Sequence, residues 1–244
     1  PDLFPLWDNP WFPYSVIIGI LFVVGFVLIG RSSQKVGIAI TTVASKMSVI
    51  IPITFSLLYD PYDHITNLKL GGIVLALFAV FFTVYRKRKI DFDPRDLYLP
   101  VALFLGMGLI DSIIKLAQFK YIDNGASTLF SAVLFTIAAL TGIITNLIRG
   151  NSFRTLTKPS TMMWGTLLGL GNYGSIYFLI LALKKKLPTG IPMDGSVVFG
   201  INNIGIVGLS VIIGLLAFRE KLTFLNWTGI ALSFVAIYIL SYTT

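Results

Sequence analysis

Eight long apolar runs, separated by short polar connections, dominate this sequence. The runs cover residues 13–30, 36–58, 69–86, 98–118, 126–148, 161–183, 195–217 and 224–243. An apolar run of about 20 residues can cross a bilayer as an α-helix, whereas a membrane β-strand needs about 10 residues of alternating polarity. Since 55% of the 244 residues are hydrophobic and 12% are charged, a soluble surface cannot accommodate the chain. The sequence therefore predicts an all-α polytopic membrane protein with eight transmembrane helices.

An internal repeat accompanies these runs. Residues 62–85 align without a gap on residues 219–242, an offset of 157 positions. The aligned segments are identical at the pairs Thr66–Thr223, Gly72–Gly229, Ile73–Ile230, Leu75–Leu232, Ala79–Ala236 and Tyr85–Tyr242. The same offset places the sixth apolar run over the first and carries the fourth and fifth to positions before residue 1. The chain therefore divides into two related parts of unequal length.

The repeat predicts how the chain is organised. Residues 91–244 form a complete repeat of five transmembrane helices, and residues 1–90 form an incomplete repeat of three. Two further helices are expected upstream in the full gene product. Because five is an odd number, the two repeats insert with opposite orientation, as in many secondary transporters. The predicted fold is a ten-helix inverted repeat (5+5) that lacks its first two helices in this sequence.

Several segments resemble a known transporter family. They are "ASKMSVIIPITFSLLY", "GNYGSIYFLILAL", "VVFGINNIGIVGLSVIIG" and "FREKLTFLNWTGIALSFVAIYIL". They are similar to the EamA-like branch of the drug/metabolite transporter (DMT) superfamily, and the resemblance spans nearly the whole chain. It implies alternating access between two inverted five-helix repeats, with a cytoplasmic C-terminus. The excess of Lys and Arg in the loops after the first, third, fifth and seventh runs indicates the opposite orientation, so both orientations stay open.

Lys46 is a cation inside the second apolar run. Placing a charge at the centre of a bilayer costs at least about 2.5–3.5 kcal/mol, so we expect Lys46 to face the bundle interior or a hydrated cavity. It is a candidate contact for a substrate or ion, and a structural ion pair or a shallower helix is the alternative. Pro52 follows in the same run and predicts a bend, because proline removes a backbone hydrogen bond.

The repeat connects Lys46 to a second polar position. The offset carries Ser45 and Lys46 to Asn202 and Asn203, so the two pairs are expected to face each other across a pseudo-twofold axis and to line a central cavity. For the asparagines alone, hydrogen bonding between helices is the alternative.

Asp111 and Lys115 are spaced i, i+4 in the fourth run and share one helix face. An internal salt bridge is one interpretation. A second is that Asp111 also partners Lys46, which would allow ion or proton coupling.

A third group of candidates comes from the sixth run and from the connections. Asn172 and Tyr173 lie among glycines and are candidate substrate contacts, with Gln118, Tyr177 and Asn146 as weaker candidates. Helix packing is the alternative for the glycine-rich segment. Three charged residues at the ends of runs are interpreted as capping or turn residues: Asp63, Glu220 and Lys221.

The sequence favours a secondary active transporter that exports a small polar metabolite. It contains no P-loop for ATP, no H-E-x-x-H or G-x-S-x-G motif and no Cys, so we expect neither an enzyme nor a bound metal or cofactor. Membrane topology explains the net charge of +8 better than nucleic-acid binding does. The expected partners are the lipid bilayer of a bacterial inner (plasma) membrane and a small-molecule substrate, for a monomer or homodimer. A non-transporting membrane subunit or scaffold of a larger complex is the alternative.

Overall fold

A computed structural model describes residues 5–85, 93–122, 126–148, 157–185, 193–217 and 222–242. All regular structure within these ranges is helical. The α-helices are α1 (Phe12–Lys35), α2 (Ile38–Met47), α3 (Ile50–Tyr59), α4 (Asn67–Val84), α5 (Tyr98–Lys120), α6 (Ala126–Ile148), α7 (Pro159–Lys184), α8 (Gly195–Ala217) and α9 (Phe224–Ser241). Short 3₁₀ turns at Leu6–Asp8 and Pro94–Leu97 precede α1 and α5.

Six helical segments among the described residues are long and apolar enough to cross a membrane. They are Phe12–Lys35, Ile40–Tyr59, Pro94–Lys120, Ala126–Ile148, Pro159–Lys184 and Gly195–Ile213. The chain is therefore an all-helical integral membrane protein, which confirms this part of the prediction. Helices α4 and α9 have 18 residues each. Such a helix is about 27 Å long, slightly less than the bilayer core of about 30 Å, so a count of eight spans stays a prediction.

The second apolar run is divided into two helices. Helix α2 ends at Met47 and α3 begins at Ile50. Pro52 accounts for the division because it has no N–H and its ring clashes with the carbonyl four residues earlier, that of Ser48. Ser48 and Val49 form a tight turn, in which the Val49 N–H lies 3.5 Å from the Lys46 carbonyl oxygen. The bend predicted from Pro52 is thus a break between two helices.

The described residues form two compact units, and each is described by itself. Unit 1 comprises Pro1–Phe26 and Ile113–Lys184. In its core the ring of Trp11 meets Phe130 edge-on at 6.1 Å. Gly19 allows α1 to approach α6 closely, because a Cβ atom there would lie 2.7 Å from the Leu134 carbonyl oxygen.

Unit 2 comprises Val27–Ser112 and Lys185–Thr244, and its largest helix contact joins α4 to α9. The two helices begin alike: Thr66 accepts a hydrogen bond from the N–H of Lys69, and Thr223 accepts one from the N–H of Asn226. These threonines are N-caps, which satisfy donors that a helix start leaves unpaired. The two caps are one repeat offset apart, and both helices have the same length. The repeat boundary at residue 90 concerns sequence relationship, which packing units do not measure, and it stays a prediction.

Close contacts between α4 and α9 come in a reciprocal pair. A Cβ atom on Gly72 would lie 2.9 Å from the Leu240 side chain, and one on Gly229 would lie 2.8 Å from the backbone of Phe82, next to Thr83. The offset that carries Gly72 to Gly229 also carries Thr83 to Leu240, so it exchanges the two contacts. Glycine at both positions lets the helix backbones approach, as small residues do in membrane proteins.

Asn226 joins the start of α9 to the end of α4. Its side chain is fully buried. Its amide nitrogen lies 3.1, 3.0 and 2.9 Å from the carbonyl oxygens of Phe82, Thr83 and Tyr85. Phe82 and Thr83 are in the last turn of α4 and Tyr85 directly follows it, where carbonyl oxygens have no donor further along the helix. The amide therefore caps a neighbouring helix.

Candidate functional site

The break between α2 and α3 brings Lys46 into contact with Asn203. The Asn203 amide donates a hydrogen bond of 3.0 Å to the carbonyl oxygen of Lys46. Asn203 is 7% exposed, so its amide has little access to water. A carbonyl beside a helix break loses its regular i+4 donor, and the asparagine replaces that donor. The two residues that the repeat relates therefore meet, through the backbone of Lys46.

The side chain of Lys46 has Asp111 as its charged neighbour. The two charges, on α2 and α5 of unit 2, are close enough to interact. Both side chains are half-buried. Among the described residues the Lys46 ammonium has no hydrogen-bond partner, so its three N–H donors are available to a ligand. The structure thus brings Lys46 and Asp111 together inside candidate membrane spans.

Ser45 directly precedes Lys46, and Asn202 directly precedes Asn203. Both residues are half-buried. The carbonyl oxygen of Ser45 accepts a hydrogen bond of 2.6 Å from the hydroxyl of Ser48, in the break between the helices. Three of the predicted site residues therefore flank the helix break or contact it: Ser45, Lys46 and Asn203. Their role in binding a substrate stays a prediction.

The remaining predicted site residues belong to unit 1. The Asn172 amide donates to the carbonyl of Leu168, four residues earlier in α7, at 2.8 Å. Tyr173 packs against two aromatic rings, with centroid distances of 6.0 Å to Phe135 and 6.1 Å to Tyr177. Tyr173 thus packs against α6, whereas the hydrogen bond of Asn172 stays within α7.

Lys115 also belongs to unit 1 and is 2% exposed. Its ammonium lies 5.8 Å from the centroid of the Phe119 ring, within range of a cation–π interaction. The carboxylate of Asp111 interacts with Lys46 instead. Gln118, one helix turn further along α5, has a buried side-chain oxygen that finds no hydrogen-bond donor among the described residues.

A buried ionic cluster forms where α3, α4 and α8 begin or end, and sequence reasoning did not find it. We call it the Asp63 cluster; its members are Asp63, Lys69, Asp194, Ser56 and Ser196. The Lys69 ammonium donates to Asp63 at 2.9 Å and to Asp194. Its third hydrogen bond, of 2.7 Å, goes to the carbonyl of His64. All three donors of the ammonium are therefore used.

Asp63 is saturated with hydrogen bonds. Besides Lys69, it accepts from the hydroxyl of Ser56 at 2.6 Å and from Ser196 twice, through the hydroxyl and the backbone N–H, both at 2.7 Å. Its side chain has no exposed surface. The interpretation of Asp63 as a turn or capping residue was therefore incomplete: it caps the start of α8 and also anchors a buried ion pair.

The two carboxylates of the cluster titrate differently. Burial alone would raise the pKa of Asp63, but the hydrogen bonds from Ser56, Ser196 and Lys69 favour its charged form and hold its pKa below the usual value. Burial raises the pKa of Asp194, and its hydrogen bond with Lys69 only partly offsets this effect. The negative charges of Asp63 and Asp60 raise it further. Asp194 is therefore the easier of the two to protonate.

Two features of the sequence point towards this cluster. Lys69 is the first residue of an apolar run, where a lysine is expected at the membrane surface, yet it is 2% exposed. Asp194 stands directly before "GSVVFG", where a helix start is expected. No pattern in the sequence relates these residues, because 125 positions separate them. Glu220 and Lys221, the other predicted capping residues, lie outside the described residues.

Comparison with known proteins adds a bacterial relative. No family model matches the chain. An uncharacterized protein of Haemophilus influenzae is 28% identical to it over 234 residues, which cover 94% of this chain and 75% of the relative. The relative's name assigns no activity, so function is argued from the site.

Proposed function

We propose that the chain is a secondary active transporter that exports a small polar metabolite by alternating access. Its substrate site lies at the interface of the two repeats, near the midplane of the membrane, around Lys46, Asp111 and Asn203. The observation that carries this proposal is the contact between Lys46 and Asn203, two residues related by the repeat that meet beside a broken helix. Broken helices at a repeat interface hold the substrate in many transporters.

The packing of unit 2 supports the repeat on which this proposal depends. The threonine caps of α4 and α9 and the reciprocal glycine contacts agree with one offset of 157 positions, which also separates Lys46 from Asn203. These features fit a ten-helix inverted repeat of the EamA-like type, of which residues 1–90 supply three helices and residues 91–244 supply five. The relative in Haemophilus influenzae supports a bacterial inner membrane as the location.

The charges inside the candidate spans support a polar substrate. Ionisable residues within membrane helices are costly and commonly mark a substrate or ion pathway. The Lys46 ammonium has unused donors, which suit a carboxylate or phosphate group on the substrate, and Asp111 supplies a carboxylate beside it for ion or proton coupling. Ser45 and Asn202 are proposed contacts in the same place. For Lys115, Asn172 and Tyr173, which belong to unit 1, a role in substrate binding stays a prediction from the sequence.

The test has two steps. A thermal-shift screen of anionic metabolites on the detergent-solubilised protein identifies a ligand, and flux of that ligand is then measured in proteoliposomes. Replacing Lys46 with Met should reduce ligand affinity by roughly 30-fold or more, because removing one partner of a buried charge interaction costs at least about 2 kcal/mol.

Lys35→Met is the matched control. It makes the same change in unit 2 at a side chain that is 55% exposed and pairs with Asp96. It should leave flux unchanged. Equal flux in wild-type and Lys46→Met proteoliposomes would contradict the proposal. A stable purified complex with other membrane proteins and no flux would instead favour the scaffold.

A further inference from the structure

The Asp63 cluster contains one more carboxylate than its ammonium can neutralise. Asp63 and Asp194 share the charge of Lys69. With all three groups ionised, the cluster has a net charge of −1. A buried site with uncompensated charge is costly, and binding one proton removes that charge.

The two carboxylates differ in how well they are satisfied. Asp63 accepts four hydrogen bonds and has no exposed surface. Among the described residues the carboxylate of Asp194 accepts one hydrogen bond, from Lys69, and the side chain is 12% exposed. A proton arriving from water therefore reaches Asp194 first and displaces the smaller number of hydrogen bonds there.

We propose that Asp194 is a proton-binding site at the start of α8, whose protonation removes the uncompensated negative charge that it shares with Asp63 and Lys69. Asp194 is fixed to the first turn of α8, because its carbonyl accepts the N–H groups of Val197 and Val198 at 3.1 and 3.0 Å. When its carboxylate takes up a proton it loses the ionic part of its bond with Lys69. Lys69 keeps its bonds with Asp63 and the His64 carbonyl.

Proton binding at this point acts on the helix that carries Asn202 and Asn203. After protonation, the two hydrogen bonds from Ser196 to Asp63 still hold the start of α8, and the uncompensated charge beside it is removed. Proton binding at Asp194 is independent of what the protein carries, and it affects the attachment of α8 within unit 2.

The charged groups around Asp194 raise its affinity for a proton on balance. Asp60 and Asp63 face Asp194 from the connection between α3 and α4, and both raise its affinity for a proton, whereas Lys69 of α4 lowers it. His64 lies in the same connection, and Lys185 is joined to the residue before Asp194 by a backbone hydrogen bond of 2.9 Å. Helix α8 itself has no charged side chain. The pKa of Asp194 is raised accordingly.

Infrared difference spectroscopy of the full chain in lipid nanodiscs tests proton binding directly. On acidification the wild-type protein should show the carbonyl band of a protonated carboxyl group with a midpoint above about 3.9, the ordinary value for Asp. Asp194→Asn should lack this band. Asp96→Asn, the same change at the Lys35 pair, should keep it. A band that persists unchanged in Asp194→Asn overturns the assignment.

Asp60→Asn gives a second, independent test that leaves Asp194 in place. Because it removes a negative charge that raises the proton affinity of Asp194, the midpoint of the band should fall while its amplitude remains. An unchanged or higher midpoint overturns the proposed electrostatics. This variant also keeps the proposal testable if Asp194→Asn fails to fold.

Hydrogen exchange tests the effect of the proton on the start of α8. Protection of the amides of residues 195–200, corrected for the intrinsic pH dependence of exchange, should rise several-fold on acidification, because a carboxylate whose pKa is raised in the folded protein favours the packed state when it is protonated. Residues 224–230 are the internal control, because the first turn of α9 is capped by Thr223, which does not titrate. In Asp194→Asn the protection of residues 195–200 should stay constant across this pH range. Equal protection on both sides of the midpoint in the wild-type protein overturns the coupling between the proton and α8.

Discussion

Unit 2 contains two sets of Lys and Asp side chains that solve the problem of buried charge in opposite ways. In the Asp63 cluster, the carboxylate of Asp63 and the ammonium of Lys69 have all their hydrogen bonds satisfied by neighbouring groups. Lys46 and Asp111 interact through space, and among the described residues no hydrogen bond joins them. Asp63 and Lys69 therefore have no hydrogen-bonding capacity left for a ligand. The second set has unused donors and acceptors, which is what a binding site needs.

Residue types alone therefore do not identify a site. Lysine and aspartate occur in both places, and both are within or beside apolar helices. Saturation of hydrogen bonds separates a structural role from a binding role, because a saturated group gains nothing from a ligand.

The largest effect is expected from Asp63→Ala. The change removes the acceptor of four buried hydrogen bonds, which come from Ser56, Lys69 and Ser196, so the free energy of unfolding should fall by about 3–5 kcal/mol. Unfolding in mixed detergent–SDS micelles measures it. Asp96→Ala removes the partner of the exposed Lys35 and should leave stability nearly unchanged. Equal losses in the two variants would show that saturation has no structural importance here.

Replacing both members of each ion pair by apolar residues should give opposite results. For Lys46→Met with Asp111→Leu, stability should be unchanged or higher by about 1–4 kcal/mol, because burial of two poorly satisfied charges is removed. For Lys69→Met with Asp194→Leu, stability should fall, because Asp63 loses its counter-charge. The same unfolding assay compares the two. Similar losses in both double variants would contradict the contrast.

The pH dependence of stability should separate the carboxylates of the Asp63 cluster. The pKa of Asp63 is lowered in the folded protein, so its contribution is present above the unfolded value and lost as pH falls through the folded value. The pKa of Asp194 is raised, so stability falls as pH rises from the unfolded value through the folded one. Asp63→Asn should therefore flatten the acid side of the profile, and Asp194→Asn should flatten the other side. Thermal unfolding at several pH values measures both, and swapped effects would contradict the assignment.

The smallest effect is expected at the asparagines. Asn203→Ala removes the donor to the Lys46 carbonyl beside the helix break and should cost about 1 kcal/mol of stability. Asn172→Ala is the matched control, because its amide bonds to a carbonyl within its own helix, where the backbone also supplies a donor. That variant should change stability very little. If Asn172→Ala costs as much as Asn203→Ala, the break does not depend on Asn203.

The positions of the helices were largely predictable, because a helix that crosses a bilayer needs about 20 consecutive apolar residues. Helices α6 and α8 coincide with the predicted runs 126–148 and 195–217. Helix α1 continues to Lys35, beyond the apolar run that ends at residue 30, because backbone hydrogen bonding does not stop where hydropathy falls. The division between α2 and α3 followed from Pro52, although the sequence did not fix where it lies.

The contact between Lys46 and Asn203 was predictable, because the repeat supplied a relation between these distant residues. The offset linked Lys46 to Asn203, and the two residues meet. It gave no hint of the ion pair between Lys69 and Asp194, because the offset carries Lys69 to Asn226, whose amide serves a different purpose. Buried ion pairs between segments far apart in sequence depend on packing, and no local pattern reports them.

The amide of Asn226 has a mechanical consequence. It donates hydrogen bonds to three carbonyl oxygens at the end of α4, and glycines keep the two backbones close. We therefore expect α4 and α9 to behave as one rigid pair that resists sliding or twisting. Any bending is then expected elsewhere. One such place is the turn at Ser48 and Val49, where the helical hydrogen bonds are already interrupted. If the proposed transport function holds, we expect the chain to bend at this turn while α4 and α9 move together.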